Sequence, residues 1–140
     1  MDMKLQKGFT LIELVIVIVI LGLLAATALP RFSNLTQSAR IAALNGVAGS
    51  LRGAASISHA TQLAKSLSSN VSVDLDGQIV AMANGWPVAT NVSNVLTDYT
   101  GFTFTSANPA LFTFVTNCEV QYNDSVAGAF PAVTVVSNGC

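Results

Sequence analysis

Residues 7–29 read KGFTLIELVIVIVILGLLAATAL, and one carboxylate in this run decides how the rest of the chain is organised. Glu13 is the only charge between Lys7 and Arg31, and from Leu14 to Leu29 every residue is apolar or small apart from Thr27. The 21 residues from Phe9 to Leu29 would extend about 31 Å as a helix, enough to cross a bilayer core. Lys4 and Lys7 precede the run, a polarity that keeps the N-terminus cytoplasmic.

Three readings fit such a segment. An ordinary secretory signal would be cut at Ala26-Thr27-Ala28, which has the small-residue pattern of such sites. A plain membrane anchor would not be cut at all. A third kind of leader is cut before the apolar run, after Gly8. The first two leave Glu13 unexplained, because an ionised side chain one turn into an apolar helix costs several kcal/mol without a partner. The third supplies the partner. Cleavage after Gly8 frees the amine of Phe9, four residues before Glu13. In a bundle of staggered copies, that amine can meet Glu13 of a neighbour, so a buried pair forms only on assembly.

Lys7-Gly8-Phe9-Thr10-Leu11-Ile12-Glu13, abutting an apolar helix, resembles the cleavage motif of type IV prepilins and their pseudopilin relatives. The resemblance implies that a prepilin peptidase cuts after Gly8 and N-methylates Phe9, and that Glu13 pairs with the Phe9 amine of an adjacent subunit. Resemblance to type IVa pilins further implies that the stretch from Gly22 to Pro30 loses helical hydrogen bonds when the subunit leaves the bilayer. The alternative for Gly22 and Pro30 is a simple kink at the membrane boundary, since both residues disfavour helix interiors yet are tolerated in lipid.

Beyond Arg31 the pattern changes. Phe32, Leu35, Ala39, Ala43, Val47, Leu51, Ala54 and Ser58 recur at three- and four-residue spacing, which predicts an amphipathic helix to about Lys65. Gly46, Gly49 and Gly53 suggest a face that lets a covering sheet approach closely. After Lys65 the signals are those of strands. Asn70–Leu75 alternates polar and apolar, Asp76-Gly77 is a hairpin turn, and Ile79–Ala83 is the return strand. Asn84-Gly85-Trp86-Pro87 reads as a loop, and Asn91–Asp98 as a short helix. Gly101–Thr105, Leu111–Tyr122 and Ala132–Ser137 are further strands, with a turn at Asn123-Asp124-Ser125. The expected architecture is α+β: a long N-terminal helix, membrane-spanning in one half and amphipathic in the other, packed on a small antiparallel sheet in a pilin fold. The expected divisions are a leader over 1–8, a membrane or filament-core helix over 9–30, the amphipathic half over 31–65, and a β-rich head over 66–140.

Cys118 and Cys140 are the two cysteines. An even pair beside an export signal suggests a disulfide in an oxidising compartment; the alternative is two buried free thiols. Their placement looks like the disulfide-bounded C-terminal region of type IV pilins. Gly85-Trp86-Pro87, Cys118-x-Val120-x-Tyr122 and Gly139-Cys140 look most like the mannose-sensitive haemagglutinin pilins, although Trp86 stands where that class would have Tyr.

Little else carries chemistry. The net charge is −1 with no basic stripe, which gives no footprint for nucleic acid. His59 is the single histidine, so neither a metal site nor a catalytic triad has its ligand set, and a partly exposed packing role is expected. Asp74-Leu75-Asp76-Gly77 resembles the start of a calcium loop, but its glycine comes two residues early for an EF-hand and a hairpin turn is the better reading. The sequons at Asn34, Asn70, Asn91 and Asn123 carry little weight in a bacterial filament.

The expected protein is therefore a structural subunit without catalytic residues, metal or cofactor. By the resemblance, it resides in the bacterial inner membrane as a precursor and then in an extracellular pilus that serves attachment, biofilm formation and motility. Its partners would be copies of itself, the prepilin peptidase, and an assembly machinery with ATPases and a secretin; no surface receptor or glycan is legible. The competing expectations are a type II secretion pseudopilin and, more distantly, a secreted binding module released at Ala28.

Overall fold

A computed structural model describes residues 8–140. The expected leader over 1–8 lies outside the described residues except for Gly8. The chain divides into two units, one ending at Gln37 and the other running from Ser38 to Cys140. One helix, α1 (Leu11–Ala64), contributes to both.

In the first unit the side chains of α1 from Leu11 to Leu24 are exposed, as are Leu29, Phe32 and Leu35. The segment is long and apolar enough to cross a membrane. Within the apolar run the Thr27 hydroxyl is satisfied locally, Oγ1 donating to Leu24 O at 2.9 Å, as a polar group in an apolar medium requires. Gly22 and Pro30 both lie within the helix.

In the second unit α1 buries one stripe: Leu44, Ala48, Leu51, Ala55, Ser58 and Gln62. The alternating steps of four and three residues keep this stripe on one helical face. This corrects the expected register. Leu51 and Ser58 are buried and Val47 and Ala54 half-buried, but Phe32, Leu35, Ala39 and Ala43 are exposed. The pattern drifted because alanine and glycine on the outer face are as apolar by type as the residues that pack. Gly46, Gly49 and Gly53 are likewise exposed, and a Cβ at any of them would meet open space, so they do not let the sheet approach.

The sheets explain the stripe. β1 (Val73–Leu75) pairs antiparallel with β2 (Gln78–Val80) across the Asp76-Gly77 turn. Both turn residues have positive φ, 52° and 85°, as a two-residue hairpin of this hand demands. The Asp74 carboxylate is engaged there, Oδ1 accepting the Gly77 N–H at 2.8 Å. The expected return strand Ile79–Ala83 is instead divided. Ala81 falls between strands and donates its N–H to Asn91 Oδ1, and β3 (Met82–Ala83) begins a second hairpin.

That hairpin corrects the loop expected at Asn84-Gly85-Trp86-Pro87. Asn84 and Gly85 form its turn, with φ of 55° and 87°, and β4 (Trp86–Pro87) returns along β3. Pro87 is tolerated because it ends a two-residue edge where its missing N–H costs nothing. A 3-10 helix over Ala89–Val95 follows, earlier than the helix expected at Asn91–Asp98.

The main sheet has the order β5 (Thr103–Thr105), β6 (Ala110–Val115), β7 (Cys118–Tyr122), β8 (Val133–Val136), all neighbours antiparallel. The stretch Leu111–Tyr122, read as one strand, is two. Thr116 and Asn117 turn the chain, Asn117 at φ 60°, a conformation asparagine tolerates without being glycine. Along β7, Cys118, Val120 and Tyr122 are buried while Glu119 and Gln121 are half-buried on the other face, the period-two alternation of a strand packed on one side. With Ala110 and Phe112 of β6 they cover Leu44, Ala48, Leu51 and Ala55 in one core. A satellite core holds Val73, Val80 and Met82. The architecture is the expected α+β arrangement, a long helix with small antiparallel sheets.

Candidate functional site

At the N-terminal end of the described chain, Phe9 is 89% exposed and Glu13 sits in the first turn of α1. Thr10 is the residue before the helix. Its backbone N–H and its hydroxyl both donate to Glu13 Oε2, at 2.9 and 2.6 Å, and Thr10 Oγ1 accepts the Glu13 N–H at 3.3 Å. This is a capping box, in which the cap residue and the side chain three positions on satisfy each other's orphan groups. The carboxylate also lies at the positive end of the helix dipole. Thr10 was missed by sequence reasoning although its signal was present: a Thr-x-x-Glu spacing opening an apolar run. Glu13, four residues after Phe9, is thus a carboxylate that already has local donors.

Cys118 and Cys140 are bonded in the structure. Cys118 is fully buried in the core and Cys140 packs against it, so the bond ties the final segment to β7. The ending is held twice more. Arg40 donates to Cys140 O at 3.1 Å while its guanidinium lies 5.6 Å from the centre of the Phe114 ring. Gly139 donates its N–H to Asn117 O, and a Cβ there would lie 2.0 Å from Thr116 O. Only glycine fits against the β6–β7 turn.

His59 is a packing residue of a specific kind. Its ring stacks on Trp86 with centroids 4.3 Å apart and planes 7° apart, and its Nδ1 lies 2.6 Å from Gly85 O. A Cβ on Gly85 would approach the imidazole within 3.2 Å, which adds a spatial reason to the positive φ for glycine at this turn. Tyr122 donates its hydroxyl to Pro87 O at 2.8 Å. Burial, with Asp124 nearby, pushes that phenol well above the usual tyrosine range. Asn123-Asp124-Ser125 is more than a turn: Asp124 Oδ1 accepts the Ala89 N–H and Oδ2 accepts from Asn108 Nδ2, while Ser125 Oγ donates to Ala83 O. These residues join the hairpins to the main sheet.

Residues 3–29 match the family described as the prokaryotic N-terminal methylation motif. Over 51 residues the chain is 55% identical to the type IV narrow pilus major component of Thermus thermophilus, covering 36% of this chain and 44% of that protein. It is 62% identical over 37 residues to a type IV major pilin of Neisseria gonorrhoeae, covering 26% of this chain and 22% of the relative. With a type IV major fimbrial protein of Dichelobacter nodosus it shares 46% identity over 49 residues, 35% of this chain and 31% of the other. The matches span less than half the length of these curated relatives. No solved structure matches the chain. The N-terminal third is therefore similar to the N-terminal segments of type IV pilins and fimbrial proteins.

Proposed function

We propose that this chain is a structural subunit of a type IVa pilus, stored in the inner membrane and cut after Gly8 by a prepilin peptidase that also methylates the new Phe9 amine. The observation that carries the reading is Glu13, a single carboxylate in the first turn of an apolar helix whose side chains are exposed. In the bilayer the Thr10 hydroxyl and N–H keep Glu13 from being wholly unpartnered. In the fibre the Phe9 amine of a neighbouring copy takes up the negative charge, and the exposed apolar side chains exchange lipid for one another. Such an exchange needs little net hydrophobic energy, so the polar pair gives the assembly its direction and register. The stretch Gly22 to Pro30 is where the helix yields on leaving the membrane, because Pro30 lacks an N–H and Gly22 has the most backbone freedom.

Within the type IVa class, Gly85-Trp86-Pro87, Cys118-x-Val120-x-Tyr122 and Gly139-Cys140 favour the mannose-sensitive haemagglutinin pilins. The fibre then serves attachment, biofilm formation and pilus-based movement, with assembly ATPases and a secretin as partners. Mass spectrometry of the protein from sheared surface fibres tests the reading. An N-methylated Phe9 terminus supports it; a terminus at Leu29, or fibres that lack this chain, refutes it.

A further inference from the structure

A cleft of about 290 Å³ opens on the second unit, lined by Arg52, Ser56, Trp86, Phe130, Pro131 and Val133 together with Ala55. Its aromatic wall is built with care. Trp86 is clamped from behind by the His59 stack, and His59 is itself fixed to Gly85 O. Phe130 stands 5.2 Å from Trp86 with the rings tilted by 58°. Phe130 nevertheless remains 80% exposed. The segment that carries it is shaped on either side by Gly128, at φ 80°, and by Pro131. A large aromatic left in water beside a rigid indole is surface available to a ligand.

Among the described residues, the single charge lining the cleft is Arg52. One guanidinium N–H is engaged, Nη2 donating to Val133 O at 2.8 Å, which aims the group while leaving further donors of its fork. Ser56 Oγ donates to Arg52 O at 2.9 Å, so its oxygen still has capacity to accept. No acidic side chain among the described residues lines the cleft.

We propose that this cleft binds one hexuronate ring of an acidic polysaccharide. A hexuronate presents a carboxylate for the guanidinium fork, a hydroxyl to donate to Ser56, and an apolar C–H face for the aromatic wall. Each of the three features is needed. A phosphate chain would call for several cations, whereas the chain carries a net charge of −1 and the cleft one arginine. A flexible acidic peptide side chain would use the guanidinium and leave Phe130 wet. The volume suits one ring, at the small end of ligand cavities. For a ligand of that size the affinity belongs in the millimolar range, raised by repetition along a polymer and a fibre.

Trp86 is the only tryptophan, so its fluorescence reports on this cleft alone. The full chain in a sugar-free neutral detergent is titrated with glucuronate, glucose and acetate at constant ionic strength. Glucuronate is expected to give a saturable change, with glucose and acetate each at least about tenfold weaker. Arg52→Gln is expected to bring glucuronate down to the glucose response. Phe130→Ser, at an exposed position that leaves the fold intact by circular dichroism, is expected to bring it down to the acetate response. A change that does not saturate, an equal response to glucose or acetate, or unaltered affinity in a folded Phe130→Ser protein overturns the proposal.

Discussion

Glu13→Val removes the one charge from the apolar run, and its effect separates membrane residence from assembly. The variant is more easily accommodated in lipid, since an intramembrane carboxylate is costly. Under the pairing proposed for the fibre, it leaves the neighbour's Phe9 amine without a partner, a loss of about 3 kcal/mol or more at each contact. Normal amounts of membrane precursor with little or no sheared fibre are the expected outcome, and a wild-type fibre yield would remove the pairing from the account. Tyr122 answers a different question at the same scale. Its folded pKa is raised above the ordinary value of 10.0 by burial and by Asp124. The unfolded phenol therefore ionises first, so this contribution to stability is fully present below about pH 10 and is lost as pH rises beyond it. Tyr122→Phe costs about 1 kcal/mol near neutrality, through the hydrogen bond to Pro87 O. It also flattens the alkaline decline in denaturant midpoint, which a pH series of unfolding curves reads directly.

At the scale of elements, the face that α1 buries was mis-set by the sequence and is testable. Leu51 is fully buried beneath β6 and β7, whereas Leu35 is 68% exposed. Leu51→Ala is expected to destabilise the folded head by about 2–5 kcal/mol, and Leu35→Ala to change it by about 0.5 kcal/mol or less. Chemical denaturation of the full chain in detergent, followed by Trp86 fluorescence, compares them. Comparable losses would restore the stripe inferred from periodicity. The error has a physical origin. A helix whose outer face is largely Ala42, Ala43, Gly46, Gly49 and Gly53, with Arg52 at its flank, offers little to mark which side is wet. The strands show the complementary case. Asp76-Gly77 announced its hairpin, and Asn84-Gly85 carried the same signal but was read as part of a loop. Asn117 turned the chain at positive φ with no glycine beside it, so the β6–β7 turn had no sequence marker.

For the whole molecule, the bond between Cys118 and Cys140 closes a loop with a sequence separation of 22 residues. Cross-linking a loop of this size lowers unfolded-state entropy by an amount worth about 3 kcal/mol. Replacing both cysteines by serine is expected to lose that much, and an unchanged denaturation midpoint would show that the Arg40 contact and the Gly139 fit suffice without it. What the sequence by itself determined is the apolar character of the N-terminal third. The apolar run and Glu13 are local in the chain, and a long apolar helix needs no tertiary partner to be recognised. The sequence also suggested that the two cysteines are bonded and that an α+β head follows, and the structure shows both. Tertiary structure decided which helical face the sheet covers, how His59, Trp86 and Gly85 lock together, and that Arg52 and Phe130 meet at one cleft. Those facts depend on side chains far apart in sequence filling one volume, and no local pattern records which neighbours they will find.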